Sequence, residues 1–84
     1  LSRIVQWRPR ALKDLDRASK TTKKHVFDAV ERFASTGVGD IRRLQAITPP
    51  LFRLRVGDLR ILLQLPDEQS LLVMRVLPRD KAYR

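Results

Sequence analysis

The 84 residues make one domain, 1–84, and leave no room for a second. Apolar residues make up 43% of the chain and are spread along all of it, which argues against disorder; with no cysteine, neither disulfides nor a Cys-based zinc site can hold the fold, so packing must. Eighteen Lys+Arg against nine Asp+Glu leave a net charge of +9, a field that attracts polyanions, whether nucleic acid or an acidic protein.

The first element is read in "SRIVQWR" (Ser2 to Arg8), where β-forming residues alternate and Val5 and Trp7 face the core. "RPRALKDLDRASK" follows as a short helix. Pro9 suits a first helical turn, and Leu12, Leu15 and Ala18 recur at helical spacing. Thr21 or Thr22 offers an N-cap hydroxyl for a second helix, whose stripe of Val26, Phe27, Val30, Phe33 and Ala34 runs until Gly37 stops it. Asp14 and Asp16 stand two apart on the first helix and point to different sides, so they read as solvated charges and not as an acid/base pair. The single histidine, His25, reads as a surface residue of the second helix.

"GVGDIRRLQAITPP" is turn-rich and reads as a connecting loop anchored by Ile41 and Leu44. Three strand-like runs close the chain, Leu51 to Val56, Leu59 to Leu65 and Ser70 to Leu77, separated by "GD" and "PDEQ". The resulting order is β-α-α-β-β-β. The architecture it predicts is α+β, two N-terminal helices packed on one face of a mainly antiparallel four-stranded sheet. No apolar run reaches the roughly 18 to 20 residues of a membrane-spanning helix, and no signal-peptide pattern opens the chain, so a cytoplasmic protein without a membrane partner is expected.

The central hairpin "FRLRVGDLRILLQ" carries the feature that points to function. A two-residue loop at Gly57-Asp58, of type II′, pairs Val56 with Leu59, Arg55 with Arg60 and Arg53 with Leu62. Phe52, Leu54, Val56, Leu59, Ile61, Leu63 and Leu65 then share the core face, leaving Arg53, Arg55, Arg60, Leu62 and Gln64 on the other. Like charges directly opposite one another are unfavourable in a sheet unless an anion sits between them. The ending "LPRDKAYR" adds Arg79, Lys81, Tyr83 and Arg84 just after the last strand. Guanidinium forks match phosphate oxygens, and a tyrosine can stack on a base or handle a proton.

The element order, with "IVQWRPRALKDLDR", "FRLRVGDLRILLQL" and "LLVMRVLPRDKAYR", resembles the RelE/ParE superfamily of bacterial toxins from type II toxin–antitoxin pairs, over nearly the whole chain. The resemblance implies a RelE-like fold and a cognate antitoxin partner. For RelE-like members it implies cleavage of mRNA in the ribosomal A site, by attack of a ribose 2′-hydroxyl on the neighbouring phosphate, with no metal and no small-molecule cofactor. Carried over, Arg60 is similar to the family's hairpin arginine, Arg79 to its post-strand arginine and Tyr83 to its C-terminal tyrosine, which implies catalytic roles for the three. Arg53 and Arg55 stand where RelE has lysines; with Lys81 and Arg84 they are assigned to RNA binding. An arginine stays protonated, so this departure leaves the general base unassigned. The alternative is a ParE-like toxin that binds and poisons DNA gyrase without cutting RNA.

Overall fold

The computed structural model describes residues 2–79. The elements are β1 (Ile4–Trp7), α1 (Pro9–Leu15), α2 (Lys20–Thr36), β2 (Ile41–Leu44), β3 (Leu51–Val56), β4 (Leu59–Gln64) and β5 (Ser70–Pro78). The five strands form one mixed sheet in the order β1-β5-β4-β3-β2. This corrects the expected four strands in two respects. The supposed loop contains β2, antiparallel to β3, and β1 lies parallel to β5. β2 escapes a reading by alternation because it is four residues long with two adjacent arginines at its centre; its pairing with β3 defines it as a strand.

The helical hairpin carries the chain from one edge of the sheet to the other, and β2 to β5 then return as an antiparallel meander. α1 begins on Pro9, where the missing N–H costs nothing. α2 begins earlier than expected: its N-cap is Ser19, whose Oγ accepts from the Thr22 N–H at 3.1 Å, not Thr21 or Thr22. Gly37 ends α2 as predicted, in the left-handed conformation at φ 75°. Asp28 pairs with Lys24 at 3.0 Å, one turn back, across an exposed face.

The core lies between the helices and one face of the sheet. Ala11 and Leu15 of α1 and Val26, Val30, Phe33 and Ala34 of α2 pack with Leu54, Ile61, Leu63, Leu71, Val73 and Val76. Leu12 turns outward, and Phe27 leaves the buried stripe to stand against Trp7, with ring centroids 4.7 Å apart. The hairpin register is the predicted one, rung by rung: Val56 with Leu59, Arg55 with Arg60, Arg53 with Leu62. Gly57 has φ 58° and Asp58 a negative φ, as a type II′ turn requires.

Candidate functional site

Strand alternation decides which arginines meet. With Leu54 and Ile61 in the core, Arg53, Arg55 and Arg60 fall on the opposite, open face of the sheet. β2 adds Arg42, directly across from Arg53, so the open face carries two adjacent cross-strand arginine pairs, Arg42/Arg53 and Arg55/Arg60. The sequence does not single out Arg42, because its short strand has no alternation of its own. Like-charged pairs at these spacings repel, and nothing in the core requires them.

The burial of these arginines is uneven. Arg55 and Arg42 are exposed, whereas Arg53 and Arg60 are each only 6% accessible. Arg53 has a partial partner in Asp40, with Nη1 to Oδ1 at 3.4 Å. Arg60 directs Nη1 to the carbonyl of its neighbour Leu59 at 3.3 Å, and among the described residues no carboxylate pairs with it. The Nε atoms of both Arg53 and Arg60 are buried without a hydrogen-bond partner among the described residues. A buried N–H of a charged group left without an acceptor is costly, by about 1–3 kcal/mol or more, and an acceptor that reached it would remove that cost.

Arg79 stands one residue past β5, exposed, and its N–H donates to the Asp58 carbonyl at 3.0 Å. That bond ties it to the β3–β4 turn, two residues from Arg60 along the hairpin. Arg60 faces Leu77 across the β4–β5 ladder, two residues before Arg79, so Arg79 leaves β5 close to Arg60. The remaining assigned residues, Lys81, Tyr83 and Arg84, lie outside the described residues. Arg53, Arg55, Arg60 and Arg79 are thus gathered at one end of the hairpin. His25 is exposed on α2 and lines a groove of about 370 Å³ at the sheet's rim with Asp28, Arg32 and Arg55. Among the described residues no three His, Cys, Asp or Glu side chains come together as metal ligands would.

Asp14 departs from its expected role as a solvated charge. Its Oδ2 accepts from Arg75 Nε at 2.8 Å and from the Val76 N–H at 2.9 Å, and its Oδ1 accepts from Arg75 Nη2 at 3.1 Å. Burial by itself would raise the pKa of this carboxyl. The Arg75 fork, the Val76 N–H and the nearby charges of Arg75 and Arg10 outweigh burial and hold it below the ordinary aspartate range. A depressed folded-state pKa stabilises the fold above the unfolded aspartate value, and that contribution disappears as pH falls through the folded value. Asp14→Asn is therefore expected to lower stability at neutral pH and to flatten its acid dependence. Urea midpoints from about pH 7 down to about pH 2 measure this, and a wild-type slope in the variant would contradict it.

Comparison with known proteins gives the family and the fold. Residues 5–83 match the family model described as the ParE toxin of the type II toxin–antitoxin system parDE. Among solved structures, the chain is similar to one in the archaeal RelE–RelB complex of Pyrococcus horikoshii OT3, at TM-score 0.79 and 18% identity, covering 98% of this chain and 100% of that one. It is similar also to one in the RelB–RelE antitoxin–toxin complex of Methanococcus jannaschii, at TM-score 0.73 and 21% identity, over 92% and 93% of the two chains. The YoeB dimer of Staphylococcus aureus aligns at TM-score 0.70 and 13% identity, over 89% and 94%. At such identities these structures establish the shared fold. No curated protein sequence matches the chain.

Proposed function

We propose that this chain, which belongs to the ParE toxin family within the RelE/ParE superfamily of type II toxin–antitoxin toxins, is a ribosome-dependent mRNA endoribonuclease acting in the A site, a reading that rests on its arginine face and not on the family match. The observation that carries this reading is Arg60: a buried guanidinium on the open sheet face, its Nε unpartnered among the described residues, flanked by Arg55 and Arg79. A phosphodiester supplies the missing anion.

In the proposed reaction a ribose 2′-oxygen attacks the adjacent phosphorus, the P–O5′ bond breaks, and the products are a 2′,3′-cyclic phosphate and a 5′-hydroxyl. The 2′-hydroxyl loses a proton and the leaving 5′-oxygen gains one. Negative charge rises on the phosphoryl oxygens between these events, and Arg60 and Arg79 are the proposed groups that stabilise it. Arg53, Arg55 and Arg42 hold the neighbouring phosphates, and the assignment extends to Lys81 and Arg84 for binding. Tyr83 is the proposed proton-handling group. A fixed guanidinium binds better than it deprotonates, so this arrangement favours charge stabilisation over strong base catalysis.

A second reading, gyrase poisoning without RNA cleavage, is favoured by the ParE family match and by arginines at the hairpin positions where RelE has lysines. The toxin's proposed site of action is the cytoplasm in either case. A cognate antitoxin is its proposed partner, supported by the RelB-bound state of the archaeal structures and by the +9 charge, which an acidic chain would neutralise. Purified protein added to translating ribosomes is expected to produce mRNA ends that primer extension places in the A-site codon. Intact mRNA together with inhibited gyrase supercoiling would replace the first reading with the second.

A further inference from the structure

β1 and β5 part company halfway along β5. Their last rung is Trp7 with Val73, and the Arg8 N–H closes it by donating to the Val73 carbonyl at 2.9 Å. From there α1 takes the place of β1 beside the strand. Directly after this point β5 bulges: Leu63 pairs with Val73 but Leu62 pairs with Arg75, which leaves Met74 as an extra residue. A bulge resets the alternation of everything beyond it. Val76 consequently enters the core, Leu77 comes to lie across from Arg60, and Arg79 reaches the Asp58 carbonyl.

The bulge also creates a difficulty that one side chain resolves. Past Val73 the outer edge of β5 has no strand partner, so the Val76 N–H needs another acceptor. Asp14 supplies it, and the same carboxylate accepts from both Nε and Nη2 of Arg75, the residue immediately after the bulge. Asp14 is only 16% exposed, so a lost contact there would not be replaced freely by water. Arg75, opposite Leu62, would otherwise add a further cation beside the open-face arginines.

We propose that Asp14 is a positioning residue for the arginine face: through Val76 and Arg75 it fixes the course of β5 past the bulge, and so sets Arg79 beside Arg60. Its functional half rests on the reading of that face as the phosphate site. Its structural half does not, and the two are separable by experiment.

The test uses the full chain labelled with ¹⁵N. In Asp14→Ala, amide exchange at Val76 and Arg79 is expected to quicken at least about tenfold, while Leu54 and Ile61 keep their protection. Asp14→Asn keeps an acceptor oxygen, so Val76 stays protected while the Arg75 Nε–H resonance moves. In the ribosome assay Asp14→Ala is expected to lower kcat by about 10²-fold with KM little changed, since a displacement of about 1 Å near reacting groups has that effect. If Asp14→Ala does not fold, Arg75→Lys, which loses the two-armed contact, is expected to give the same local pattern more weakly. Unaltered exchange at Val76 and Arg79, or a uniform loss of protection that includes Leu54 and Ile61, overturns the proposal. Should the wild-type protein cut no RNA, the proposed activity falls, and the exchange data alone then decide for or against positioning.

Discussion

Arg60→Met is expected to reduce A-site cleavage on the order of 10²- to 10³-fold, the usual consequence of removing one fixed donor from a developing oxyanion. The same substitution should leave the urea midpoint unchanged or raise it. Arg60 is 6% accessible, and among the described residues the only hydrogen bond of its side chain is a 3.3 Å contact to the Leu59 carbonyl. Replacing a buried, poorly compensated charge by an apolar side chain of similar length is commonly neutral or stabilising, by about 1–4 kcal/mol. Methionine also relieves the repulsion with Arg55 across the rung. Loss of cleavage with gain of stability is the signature of a residue kept for its ligand. A destabilised Arg60→Met protein, or one that still cleaves at the wild-type rate, would contradict this. Arg53→Met is the internal comparison. It leaves Asp40, an exposed carboxylate, without its 3.4 Å partner, and should weaken RNA binding more than turnover.

These arginines show where sequence reasoning ends. The two-residue turn at Gly57-Asp58 determines the register by counting, so each hairpin pair is legible in the sequence itself. Alternation shows which face a side chain takes, but not how deep it lies. Arg60 and Arg55 share a rung, yet one is buried and the other exposed. That difference arises from neighbours on other strands. β2 was lost for a similar reason: "IRRL" has no alternation of its own and becomes a strand by pairing with β3. The parallel contact of β1 with β5 and the bulge at Met74 leave no local mark either, since no glycine or proline flags them. Asp14 is the sharpest case. The sequence makes it a solvated charge on a short helix, but its partners, Arg75 and the Val76 N–H, lie 61 and 62 residues away.

Leu63→Ala should have the opposite profile to Arg60→Met, although both residues sit on β4. Leu63 is fully buried, paired with Phe52 on one side and Val73 on the other, inside the cluster that α1 and α2 cover. Deleting a leucine from such a site costs about 2–5 kcal/mol, part in lost transfer energy and part in the cavity left behind. An 84-residue domain has only about 4–13 kcal/mol in total, so the variant is expected to lie close to its unfolding threshold at growth temperature. Its toxicity should fall with its folded population and return when the growth temperature is lowered. Arg60→Met should remain inactive at every temperature. A strand with a core face and an open face makes this comparison possible, because alternate residues of β4 serve the fold and the site. If Leu63→Ala kept a wild-type urea midpoint, β4 would not be packed as described, and the assignment of Arg60 to the open face would fail with it.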